Sequence, residues 1–86
     1  MVVSFDSTFD TSTIDFTDID LAVGGTDRTL AANCVGTEQM GVAVSSDVVT
    51  FTVCAGDGGV IAASGVVTIE IGTNATAGVA GDAQIR

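Results

Sequence analysis

Residues 48–54, Val-Val-Thr-Phe-Thr-Val-Cys, place Val49, Phe51 and Val53 on one side of an extended chain and Val48, Thr50, Thr52 and Cys54 on the other. Successive side chains of a strand point to opposite faces of its sheet, so this alternation predicts a strand with Phe51 at the centre of the core. Residues 66–72 repeat the rhythm, with Val67, Ile69 and Ile71 facing in and Thr68 and Glu70 facing out. The stretch 14–23 opens as a short helical turn capped by Thr13. It then alternates Ile19, Leu21 and Val23 against Asp18, Asp20 and Ala22, which predicts a third half-buried strand.

Between these runs lie the residues that turns require. Gly24-Gly25-Thr26-Asp27 admits the positive φ angles of a tight hairpin and predicts a return strand over residues 28–34. Ser45-Ser46-Asp47 joins a short strand at 40–44 to the strand at 48–54, and Gly36-Thr37-Glu38-Gln39 interrupts the pattern before it. Residues 55–59 form a glycine-rich loop that continues over one end of the fold through 60–64, and Gly65 closes it. Residues 2–5 open the chain as a strand, and 6–13 are loop-like with Phe9 as the buried anchor. Small polar residues fill 73–81, and a short last strand at 82–86 carries Ile85. Strand and turn signals at intervals of about 8–12 residues predict an all-β sandwich of about seven strands.

Composition strengthens this reading. Thirteen Val, six Ile and twelve Thr stand against two Leu, and β-branched side chains, stiff at χ1, favour pleated strands over helices. With 86 residues the chain holds one thin core, so residues 1–86 are read as one module. The expected core is Phe5, Phe16, Leu21, Phe51, Val53, Ile69 and Ile71.

Charge narrows the partners. Eleven acidic residues face Arg28 and Arg86, with no Lys and no His, for a formal net charge of −9. Such a field repels phosphate and anionic lipid, which argues against nucleic acid and membrane surfaces as partners. No run approaches the roughly 18–20 apolar residues that span a bilayer, so no membrane insertion is expected. The opening Met1-Val2-Val3-Ser4-Phe5 lacks the basic and long apolar regions of a signal peptide, and a secreted form would be a piece of a longer precursor.

Cys34 and Cys54, twenty positions apart, cannot complete a tetrahedral zinc site without histidine or further cysteines. A disulfide between neighbouring strands is the preferred reading, with two buried free thiols as the alternative, and it implies an oxidising compartment. Without His, Lys or Tyr the usual general bases are missing, and neither thiol has a basic neighbour to activate it, so no catalytic residue and no enzyme is expected. Among the acidic residues, Asp15, Asp18 and Asp20, joined by Asp57, are the candidate ligands for calcium. Turn capping and solvation are the plainer explanation for them. Gly56-Asp57-Gly58-Gly59 lacks the lysine and helix of a phosphate loop and reads as a turn. Asn74-Ala75-Thr76 fits the glycosylation pattern at Asn74.

The opening Val-Val-Ser-Phe strand, the segment 12–21, the strands at 48–53 and 66–72 and the closing Asp82-Ala83-Gln84-Ile85 follow one another in a familiar order. The chain resembles the bacterial immunoglobulin-like repeats of large cell-surface and adhesin-type proteins. The resemblance implies an immunoglobulin-like sandwich that acts as a spacer or adhesive unit, extracellular, on a cell surface or in a filament, beside neighbouring copies or other domains of the same protein. The chain ends at Ile85-Arg86, where such repeats often continue into a further strand, which leaves a sheet edge that a neighbouring copy could fill. A filament or pilus-like homopolymer joined by strand addition is therefore the second expectation, and a calcium-dependent binding module the third.

Overall fold

Val42 and Phe51 stand opposite each other at the middle of an antiparallel hairpin whose strands run Met40–Ser45 (β5) and Val48–Val53 (β6). Alternation sends Met40, Val42, Val49 and Phe51 to one side, where all four are buried, and Gly41, Ala43, Thr50 and Thr52 to the other. The turn between the strands is tight, with Ser46 at φ 51°. The computed structural model describes residues 1–9, 11–12 and 14–72.

Around this hairpin, Val2–Ser4 (β1) pairs antiparallel with β6, and Leu30–Ala31 (β4) pairs parallel with β5, giving a sheet in the order β1-β6-β5-β4. The second sheet has the order β3-β2-β7, with Ile19–Val23 (β2) between Thr26–Asp27 (β3) and Val67–Ile71 (β7), both antiparallel to it. Among the described residues, two 3-10 turns, Phe16–Asp18 and Ala55–Asp57, complete the regular structure, and there is no α-helix. The architecture is an all-β sandwich with sheets of four and three strands.

Between the layers lie Ile14, Ile19, Leu21, Met40, Val42, Val49, Phe51 and Ile71, with Phe5, Phe16 and Ile69 half-buried against them. Leu21, Met40 and Val49 are fully enclosed and Phe51 is nearly so, consistent with Phe51 as the centre of the core. Val53 departs from expectation: at the end of β6 it is 39% exposed, because its register partner Met40 already fills that end of the core. Phe9 is likewise 43% exposed, its ring tilted against that of Phe5. The anchor of that loop is instead Thr11, whose buried hydroxyl donates to the Ser46 carbonyl at 2.7 Å.

The hairpin after β2 forms as expected, with Gly24 and Gly25 at φ 59° and 82°, the left-handed pair that a two-residue hairpin turn needs. Its return strand is much shorter than residues 28–34. After β3 the chain leaves β2 at Arg28, whose amide still donates to the Leu21 carbonyl, and β4 joins the other sheet. The segment 28–34 has one large apolar side chain, Leu30, to hold it against the core, so packing favours a crossing between layers over a long ladder. The turn before β2 also differs, since Asp15 caps it in place of Thr13. Thr13, the predicted strand at 82–86 and the Asn74 sequon lie outside the described residues.

Candidate functional site

The feature with chemistry in it is the bridge. Cys34 and Cys54 are joined by a disulfide with 5.5 Å between their Cα atoms, and both cysteines of the chain are used in it. Cys54 follows β6 directly and is buried, whereas Cys34 sits in an exposed bend after β4. Gly41 shows where the bridge lies. A side-chain carbon on Gly41 would point away from the core, 3.3 Å from the Cα of Asn33 and 3.4 Å from the sulfur of Cys34. The segment carrying Cys34 therefore lies across the outer face of the four-stranded sheet, over a position that only glycine leaves flat.

Gln39 organises the polar side of the same region. Its amide donates to the Thr29 carbonyl and Thr29 Oγ1, both at 3.0 Å, and its side-chain oxygen accepts from the Thr29 amide at 3.1 Å. Its side-chain nitrogen donates to the Gly58 carbonyl at 3.3 Å, and its carbonyl accepts from the Cys54 amide at 2.9 Å. One glutamine thus fastens the segment before β5 to the chain entering β4 and to the turn after β6. In the sequence Gln39 falls in an interruption of the alternating pattern. The missed signal was a polar residue immediately before an apolar strand, with a glycine-rich loop twenty positions on to receive it.

The four candidate calcium ligands fall into three places. Asp15 and Asp18 face each other across the 3-10 turn as a capping box: Asp15 Oδ1 accepts from the Thr17 amide at 2.8 Å, and Asp18 Oδ2 accepts from the Asp15 amide at 3.1 Å. Hydrogen bonds from the hydroxyl and amide of Thr17 favour the ionised form of Asp15 and hold its carboxyl below the ordinary 3.8. Asp20 is on β2 opposite Glu70 of β7 and, contrary to its expected solvated position, is buried. Asp57 ends the exposed turn after Cys54. Among the described residues, no group of three or more acidic, cysteine or histidine side chains comes together in a way that would hold a metal ion.

A cleft beside the β5–β6 turn is lined by Phe9, Thr11, Ile14, Val44, Ser46 and Asp47. Its enclosed hydroxyl, on Thr11, is already committed to Ser46 and Asp47. What the arrangement offers chemically is a covalent tie and a set of turn caps. Among the described residues, no helix is long and apolar enough to cross a membrane. No family model, no curated protein and no solved structure matches the chain.

Proposed function

We propose that the chain is an immunoglobulin-like module serving as a structural or adhesive unit, a spacer or attachment repeat, of an extracellular surface protein. The observation that carries this reading is the Cys34–Cys54 bridge, since disulfides persist in oxidising compartments and are rare in the cytosol. Two supporting facts agree with it. The two-sheet sandwich is a common architecture for modules that hold distance between other parts of a protein, and a net charge of −9 suits a crowded exterior surface. The test is an antibody raised against the chain, applied to intact host cells, together with thiol alkylation before and after reduction. Labelling without permeabilisation, with both cysteines blocked until reductant is added, is the expected result. Signal that appears only in permeabilised cells, with alkylatable thiols, would end the proposal.

A second reading, assembly by strand addition, is favoured by the edge of β1. Met1 exchanges hydrogen bonds with Phe51, and the amide of Phe5 donates to the Asp47 carbonyl, so the odd residues of this segment face β6. The backbone groups of Val2 and Ser4 then point away from the sheet, toward a side on which β1 has no neighbour among the described residues. Light scattering on the purified chain separates the two readings: a strictly monomeric species at high concentration removes this one.

A further inference from the structure

We propose that the Cys34–Cys54 bridge is a mechanical stop that takes the β5–β6 hairpin out of the load path when the chain is pulled by its two ends. The bridge spans 20 positions of sequence with 5.5 Å between Cα atoms, and the enclosed chain contains all of β5 and all of β6. Tension entering at Met1 reaches Cys34, crosses the sulfur–sulfur bond and leaves through Cys54 toward β7. Once β1 has been stripped from β6, residues between the two cysteines receive no pull along the backbone.

The enclosed loop also holds half of the buried core. Met40, Val42, Val49 and Phe51 are inside it, whereas Ile14, Ile19, Leu21 and Ile71 are outside. Strands β1 and β4, which flank the hairpin on its two sides, come from outside the loop and can be stripped from it. What remains after full extension is a closed loop whose two strands are already neighbours in sequence, with four apolar side chains ready to receive the returning segments. Refolding then starts from a loop that is already closed and avoids the entropy of closing it.

The stop requires that the bridge survive the pull. A covalent bond meets that condition, and only chemical reduction releases it: a dithiol reductant is oxidised to its own disulfide as the sulfur–sulfur bond breaks and Cys34 and Cys54 become thiols. The same chain therefore has two lengths, selected by the redox state of its surroundings. This inference rests on connectivity alone and stands or falls apart from the surface location proposed above.

The experiment is single-molecule stretching of the full chain between handles attached at its two ends, with and without a dithiol reductant. Extended chain spans at most about 3.3–3.6 Å per residue, so releasing the loop adds about 65 Å to the fully stretched length. The expected record is a shorter extension for the oxidised chain and faster recovery of its folded length on relaxation. Should the reduced chain fail to fold, oxidised molecules are stretched first and the reductant added under tension, when cleavage is read as a discrete step of about 65 Å. Equal extension in both redox states, or no step on adding reductant to the stretched oxidised chain, would overturn the proposal.

Discussion

Gly59 lies so close beneath Gln39 that a side-chain carbon on it would stand 2.0 Å from the Gln39 carbonyl oxygen. That oxygen already accepts the amide of Cys54, so it cannot swing aside without giving up a bond at the exit of β6. Gly59→Ala is therefore expected to destabilise the fold by about 1–3 kcal/mol, the usual cost of overpacking, read as a lower urea midpoint with unchanged slope. Gly56 is the internal control, for nothing lies within 4 Å of the carbon it would gain. Gly56→Ala should stay within about 0.5 kcal/mol of the parent. Equal effects at the two positions would show that the loop does not press against Gln39.

Phe51 and Val53 share the inward side of β6 but meet different surroundings. Phe51 is 2% exposed between the sheets, and truncating a buried phenylalanine to alanine costs about 3–5 kcal/mol. Since a chain of 86 residues has a total stability of roughly 4–13 kcal/mol, Phe51→Ala should lower its melting point severely or leave it unfolded. Val53→Ala, at a site 39% exposed, should cost about 1 kcal/mol or less. Thermal melts of the two variants by circular dichroism decide the matter, and a larger loss at Val53 would place the core elsewhere.

That contrast also marks how far the sequence could be read. The alternation around Phe51 and around Ile69 and Ile71 exposes strand and face at once, because period two is a property of the local chain; that 67–71 pairs with 19–23 is a matter of tertiary packing. Val53 and Asp20 keep the same rhythm, yet their burial is set by what covers the ends and outer faces of the sheets, and a linear pattern holds no record of that. The return strand expected at 28–34 is cut short for a similar reason: a tight Gly24-Gly25 turn fixes two pairs of residues, and tertiary packing decides whether the ladder continues. The bridge was legible because two cysteines without histidine leave few alternatives. Its position over Gly41 and the several bonds of Gln39 depend on contacts between segments far apart in sequence.

Removing the bridge tests its share of the stability. A loop of 20 residues held closed in the unfolded chain is worth about 3 kcal/mol, so the double variant Cys34→Ala with Cys54→Ala should be less stable by that amount. For a protein of this size the melting temperature would fall by roughly 12–24 °C. The gap between parent and variant should close when the parent is measured fully reduced. A variant as stable as the oxidised parent would mean that the bridge constrains nothing the fold does not already hold.

Acidification acts on the turn caps. The ionised carboxylate of Asp15 accepts from Thr17, that of Asp6 from the Thr8 amide and that of Glu38 from the Gly36 amide, and each is held below its ordinary value by those bonds. A carboxyl whose folded value is depressed binds its proton more weakly in the folded chain than in the unfolded one. Its contribution is complete above the unfolded value, 3.8 for the aspartates and 4.5 for Glu38, and is lost as pH falls through the lower folded value. The melting temperature should accordingly decline as pH drops below about 4.5, and Asp15→Asn, which removes one of the three groups, should flatten part of that decline. Carboxyl carbon shifts followed by NMR give the direct reading: a midpoint for Asp15 below 3.8 is expected, and one at or above 3.8 would mean that the Thr17 bonds do not persist in solution.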